Sequence, residues 1–398
     1  MSAARSEVSP LWWPVHAPSH DPRMVQELPP WLDQVLVCPR CHGALAQSDG
    51  EWTCAGCGVV GRRHLSFADF LVGQEQLPMA GGDAMDLGGD DRAGVELGAA
   101  AAMSGFEVLL RVAARQQAEA AGRSTWSPER AAACDRFHAR LGRVNCEAAS
   151  RGGHALLAKV DRKIDELAWP PLTGALALEA AGGAGYFLPA FAERFGRVVF
   201  TDASLPCLVL AAKLAEEQGL ADVAFVRADV VRMPFAAGTF DFVHENGVIE
   251  HVHQPAAMLA EAARVRREDG YLVCVSPNRF TIAPEPHFGV PLYGAVPSPL
   301  RRRWVKARRG FEDGTGTALR SLTQLRRDVA EGVPGDRTEV FFLPRHLDFT
   351  ARRTGARRLV HRALATRWAG DLLDHLLNVT LLAVMPQHIV IARRSTHT

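Results

Sequence analysis

The chain has 398 residues, 47% of them hydrophobic and 22% charged, with a formal net charge of +1. This is globular composition at a length that calls for two or three domains. No apolar run reaches the roughly 18 residues of a membrane span, and the opening MSAARSEVSPLWWPVHAPSH lacks a continuous secretory-type apolar segment; neither a transmembrane helix nor a secretory signal is expected, and a cytoplasmic location is.

Residues 1–34, rich in Pro and Ser, read as an irregular arm. Residues 35–73 form a small module holding Cys38, Cys41, Cys54 and Cys57, spaced C-x2-C-x12-C-x2-C. Two tight knuckles, with Gly43, Gly56 and Gly58 permitting the turns, can complete a tetrahedral S4 zinc site. All four ligand positions are filled, so the zinc is expected to be structural and to stabilise a module too small for a full core. His42 and His64 are not expected to ligate. The remaining thiols, Cys134, Cys146, Cys207 and Cys274, sit in apolar sequence and read as buried and inert.

Residues 74–97, containing PMAGGDAMDLGGDDRAG, have linker composition. Residues 98–170 are rich in Ala, Leu and Arg and predict a helical segment, with a helix start at Ser127-Pro128.

Between 171 and 278 the rhythm changes. Strands are predicted at 176–180, 197–200, 223–228, 240–244 and 271–276, with helices at 186–195, 204–218 and 255–267. Alternation of this kind specifies an α/β fold with a doubly wound, mostly parallel sheet. Residues 279–398 then supply a Pro-rich loop, a basic helical insertion and two last strands at 357–361 and 388–393. Residues 300–370 carry 17 Lys and Arg against 7 Asp and Glu, an asymmetry that suits either an anionic partner or a solvated Arg-rich surface.

The strand tips carry the chemistry. LEAAGGAGYF (178–187) turns sharply between strand and helix, where glycines let a ligand approach the backbone. Asp202 ends the second strand, placed to accept from a ribose diol. Asp229 ends the third, placed to accept from an adenine amine with Val230 beside the ring. The fourth runs into Glu245-Asn246-Gly247. Ligands of open α/β sheets bind over such carboxyl ends. G-x-G-x-x-G is absent, which disfavours a dehydrogenase.

This ordered set resembles class I S-adenosylmethionine-dependent methyltransferases, whose fold is Rossmann-like. The resemblance implies S-adenosylmethionine as cofactor. It places Glu179, Ala181, Gly183 and Gly185 around the methionine moiety, Asp202 and Ala203 at the ribose, Asp229 and Val230 at the adenine, and Asn246 nearby. It also implies that the helical segment 98–170 caps this site. Ala181 departs from the usual acid-x-Gly-x-Gly-x-Gly pattern; if that position needs a positive φ, an Ala there costs about 1 kcal/mol. The Cys module resembles zinc ribbons that precede the catalytic domain in some methyltransferases, including bacterial rRNA guanine methyltransferases.

Methyl transfer needs a general base only if the acceptor must lose a proton. His251, in IEHVH, and Glu245 are candidates just past the fourth strand, with His253 near them. His287, in the Pro-flanked Glu285-Pro286-His287, is a third candidate. Phe280, Phe288 and Tyr293 could clamp an apolar acceptor. A small-molecule or lipid- or sugar-linked acceptor is expected, with O-methylation favoured. Two alternatives stand: an RNA methyltransferase docking through the ribbon and Arg301–Arg303, and a non-catalytic zinc-containing binding protein whose cofactor pocket has decayed at Ala181.

Overall fold

The computed structural model describes residues 28–80, 84–120, 152–281, 290, 292–309, 317–341 and 387–395. The Cys module contributes β1 (Leu45–Ser48), β2 (Glu51–Cys54), β3 (Gly58–His64) and β4 (Phe67–Asp69). A short hairpin, β5 (Gln76–Pro78) and β6 (Ala84–Asp86), leads into α1 (Leu87–Ala101) and α2 (Phe106–Ala120). Residues 152–166 form α3. The core follows as β7 (Leu176–Ala180), α4 (Leu188–Phe195), β8 (Arg197–Asp202), α5 (Leu205–Glu217), β9 (Val223–Arg227), β10 (Phe240–Asn246), α6 (Pro255–Val265) and β11 (Arg266–Pro277). The C-terminal part adds α7 (Ser298–Arg309), α8 (Leu322–Gly332), β12 (Asp336–Phe341) and β13 (Gln387–Arg394).

The central sheet runs β1-β2-β3-β4-β9-β8-β7-β10-β11-β13-β12. Pairing is parallel from β4 to β11 and antiparallel at both flanks. Strands buried on both faces read as continuous apolar runs, and here alternate side chains feed two cores. Ala177, Val198 and Phe200 go to one side with Phe191 and Val209. Leu178, Val199 and Val226 go to the other with Met258 and Leu259. The order reverses between β7 and β10, which opens a crevice over the strands' carboxyl ends.

The doubly wound, mostly parallel sheet expected from the sequence is thus present. The Cys module extends it, because β4 pairs in parallel with β9. Residues 87–97, read from composition as linker, are instead the first turns of α1. The glycines there serve close packing: a Cβ on Gly94 would stand 2.5 Å from Leu205 Cγ of α5. Asp90 and Asp91 there are engaged by Arg227, and Asp90 also by the Leu205 amide, as described below. β12 was not anticipated. The strand expected at 357–361 and the helix start at Ser127-Pro128 lie outside the described residues, as do Cys134 and Cys146. Among the described residues, no helix is long and apolar enough to cross a membrane.

Candidate functional site

The site begins where β7 breaks into α4. Ala181 has φ 50°, Gly183 59° and Gly185 78°, so the turn places three residues in the left-handed region. Ala181 therefore carries the strain its sequence position suggested. The Gly182 amide donates to Thr201 O at 3.0 Å and the Ala181 amide to Thr201 Oγ1 at 3.3 Å, which ties the turn to β8. A Cβ on Gly183 would meet nothing within 4 Å, leaving its backbone open to a ligand. Gly185 instead faces the protein, where a Cβ would meet Ala211 Cβ at 2.9 Å.

Asp202 closes the turn from the tip of β8. Its Oδ2 accepts from the Gly183 amide and its Oδ1 from the Ser204 amide, both at 2.8 Å. Burial lifts the Asp202 carboxyl to about 6, although those amide bonds oppose the shift. Glu179, one residue from the end of β7, is 1% exposed. Burial pushes its carboxyl well above the usual range, and the neighbouring Asp202 adds to this. Its Oε2 is buried with no hydrogen-bond partner. Asp229 Oδ1 accepts from the Val231 amide at 3.0 Å, and burial raises this carboxyl too.

These groups line one cavity of about 850 Å³. Glu179, Ala181, Gly183, Asp202, Ala203, Asp229, Val230, Asn246, His251 and His253 all border it; Gly185 does not, because it packs on α5. Glu245 is also absent from the wall. It is fully buried, in register with Cys274 of β11, and burial pushes its carboxyl to about 8. A strand alternates its side chains, so Asn246 and Glu245 cannot both face the crevice; the general-base expectation for Glu245 is not carried further. His287, Glu285 and Phe288 lie outside the described residues. Phe280 is 47% exposed, and Tyr293 packs in a separate small cluster with Val290, Val305 and Leu319. These two do not border the cavity and form no clamp over it.

Sequence reasoning missed one wall. Gln74, Leu77, Met79, Met85 and Asp90 come from the segment read as linker, Tyr186 and Phe187 from the end of the turn before α4, and Cys207 from the first turn of α5. The hairpin is held across the crevice, since the Ala80 amide donates to His251 O at 2.8 Å. The paired acids of GGDDRAG were the available signal, but a Gly-Asp composition masks it.

In the Cys module, the Sγ atoms of Cys38, Cys41, Cys54 and Cys57 lie within 4.8 Å of one another. The first knuckle is closed by the His42 amide donating to Cys38 O at 2.8 Å, and the second by the Cys57 amide donating to Cys54 O at 3.3 Å. His42 and His64 are not in the cluster.

Residues 178–274 match the family model described as "Methyltransferase domain". A demethylmenaquinone methyltransferase from Thermobifida fusca is 31% identical over 112 residues, covering 28% of this chain and 48% of that protein. The ubiquinone/menaquinone biosynthesis C-methyltransferase UbiE of Roseobacter denitrificans is 34% identical over 119 residues, covering 29% of this chain and 46% of that protein. The chain thus spans less than half the length of either relative. Among solved structures, the YcgJ protein from Bacillus subtilis aligns over 61% of this chain and 99% of its own, with 16% identity and a TM-score of 0.37. The match to a methyltransferase domain is thus confined to residues 178–274, and the strands of the Cys module and the hairpin lie outside the matched stretch.

Proposed function

We propose that the chain transfers a methyl group from S-adenosylmethionine to a hydroxyl of a small, largely apolar acceptor. The observation that carries this reading is the convergence of Glu179, the turn at Gly183, Asp202 and Asp229 on one cavity at the topological switch point. The residues suit this cofactor. A buried carboxylate oxygen of Glu179 waits for a donor, which a cationic amine supplies. Asp202 has lone pairs beyond its two amide bonds for a ribose diol, and Asp229 flanks the apolar Val230 at the adenine position. The sulfonium, when bound, supplies an electrophilic methyl group.

The protein's part is then to bind, orient and exclude water. Orientation of reacting groups can contribute about 7–11 kcal/mol. The wall built from Leu77, Met79, Met85, Phe187 and Val252 favours an apolar acceptor over RNA. His251, on the same wall, is the group placed to take the hydroxyl proton. Two relatives are named as quinone-pathway methyltransferases, one of them a C-methyltransferase; an acceptor whose ionised hydroxyl activates a neighbouring carbon fits the same cavity, and the product's methyl position decides between oxygen and carbon. We further propose that the four cysteines hold a structural zinc. Zn–S bonds of about 2.3 Å in a tetrahedron place sulfurs about 3.8 Å apart, compatible with the cluster's spread.

Calorimetric titration of the full chain with S-adenosylmethionine tests the reading. Stoichiometric binding that Asp202→Ala abolishes is expected. Absence of heat and of any thermal shift at millimolar cofactor leaves a zinc-containing binding protein as the better account. RNA binding that weakens with salt and disappears when Arg301 and Arg303 are neutralised would move the acceptor to RNA.

A further inference from the structure

The loop after β8 does not stand by itself. Ser204 is the N-cap of α5, yet its side chain caps nothing. Its hydroxyl donates instead to Asp90 Oδ1 at 3.0 Å. Asp90 Oδ2 accepts from the Leu205 amide at 2.7 Å, the first amide of α5. An acid from the first turn of α1 thereby caps the N-terminus of α5, where free amides and the helix dipole favour a negative charge. The same Oδ2 accepts from Arg227 Nη2 at 3.2 Å, and Arg227 Nε donates to Ala203 O at 2.9 Å. Arg227 is 2% exposed and also pairs with Asp69 and Asp91. Residues 203–205 are therefore clamped from both sides, immediately after Asp202. Asp90 itself borders the cavity.

From this geometry we infer that Asp90 is a positioning residue of the cofactor site, which fixes the Asp202–Ser204 loop from outside the methyltransferase domain. The inference rests on the cofactor assignment above. Asp90 lies 88 residues before the matched stretch begins at 178, so the ribose-binding geometry of this chain depends on its N-terminal extension. The hairpin contributes to the same arrangement: Leu71, Leu77, Met85 and Leu87 pack with Ala203 in one apolar cluster. Hydrogen bonding rather than charge is the active feature. An Asn at 90 can keep its oxygen toward Leu205 and Arg227 and turn its amide toward the Ser204 hydroxyl, which accepts as well as donates.

The test compares wild type, Asp90→Ala and Asp90→Asn as full chains. Calorimetry with S-adenosylmethionine and with S-adenosylhomocysteine is paired with amide exchange at Leu205 in the free protein. Asp90→Ala is expected to weaken both ligands by about tenfold, and Asp90→Asn to restore binding to within about threefold of wild type, the scale of one or two hydrogen bonds. Exchange at Leu205 should accelerate only in the Ala variant. Wild-type affinity in Asp90→Ala, or an Asn variant as weak as the Ala one, overturns the inference. If wild type binds neither ligand, the cofactor assignment has failed; unaltered Leu205 exchange in Asp90→Ala then refutes the clamp as well, and faster exchange upholds it. Should Asp90→Ala not fold, Ser204→Ala severs only the hydroxyl leg and is read by the same two measurements.

Discussion

The Gly183 amide donates to Asp202 Oδ2 at 2.8 Å, so the glycine turn and the tip of β8 are joined before any ligand arrives. Removal of the carboxylate therefore does two things: it deletes the ribose acceptor and frees the turn. The charge on Asp202 should also be visible in pH profiles. Its carboxyl titrates at about 6 in the folded chain, against 3.8 as the ordinary value. A raised carboxyl stabilises the fold fully below the unfolded value and loses that contribution as pH rises through the folded one. The free protein should lose stability over this interval, whereas cofactor affinity should rise as Asp202 ionises. Thermal melts with and without S-adenosylmethionine check both slopes, and Asp202→Asn should flatten them. A ligand-induced shift that is equal on both sides of pH 6 would contradict the assignment.

Ala181 sits at φ 50°, where a Cβ crowds the backbone. Relief by glycine is worth about 1–2 kcal/mol, partly offset by the greater freedom glycine gives the unfolded chain. Ala181→Gly should raise the melting temperature without weakening S-adenosylmethionine. A lower melting temperature would mean that the turn relaxes to negative φ at this position. Such an effect also bears on the decayed-pocket alternative, since a departure from the family pattern that costs only local strain leaves the binding groups in place.

His251 borders the cavity beside the loop after β10. If it removes the acceptor proton, His251→Gln should lower kcat by about 100-fold or more and leave cofactor affinity unchanged. Methylation of an acceptor already ionised at high pH should escape the defect. Equal losses for ionised and neutral acceptors would make the residue a binding group instead.

The parts of the molecule that were legible in sequence share a reason. Parallel strands buried on both faces are largely apolar runs, so Leu176–Leu178 and Val223–Val226 announce themselves, and the charged residues at their tips interrupt the apolar pattern. The Cys spacing is equally local. The wall formed by Leu77, Met79, Met85 and Asp90 has no such signature. Its glycines and acids look like a linker because their partners, Leu205 and Arg227, are more than 100 residues away. Glu245 misleads for the opposite reason: it stands beside cavity residues in sequence, but strand alternation turns it into the core.

That buried acid yields a stability prediction of its own. Glu245 is 0% exposed, and burial lifts its carboxyl from 4.5 to about 8 although the neighbouring Cys274 thiol opposes the shift. The folded chain holds this proton more tightly than the unfolded chain does. The resulting stability is complete below the unfolded value and drains away as pH passes through about 8. Glu245→Gln cannot ionise, so its melting temperature should fall less than that of wild type on the alkaline side. Parallel curves for the two proteins would show that the carboxyl reaches solvent or a partner.

The metal prediction turns on how the ribbon joins the domain. β4 pairs with β9, the Phe70 amide donates to Arg227 O at 2.9 Å, and Asp69 pairs with Arg227 at 3.5 Å. These contacts lie on the domain side of the four cysteines and do not need the metal. β1, β2 and the start of β3 make their strand pairings only with each other, and small modules of this kind gain their stability from the bound ion. Metal analysis should therefore give one zinc per chain, and chelation should unfold β1–β3 while β4 stays paired. Trp52, 1% exposed and 5.4 Å from Phe70, would enter water, so tryptophan emission should shift to the red. S-adenosylmethionine binding should persist, because Asp90 and Arg227 hold the Asp202 loop without the knuckles. Loss of cofactor binding on chelation would place the metal in the clamp's support. An unchanged emission spectrum after the metal has been stripped would show that the ribbon folds on its protein contacts alone.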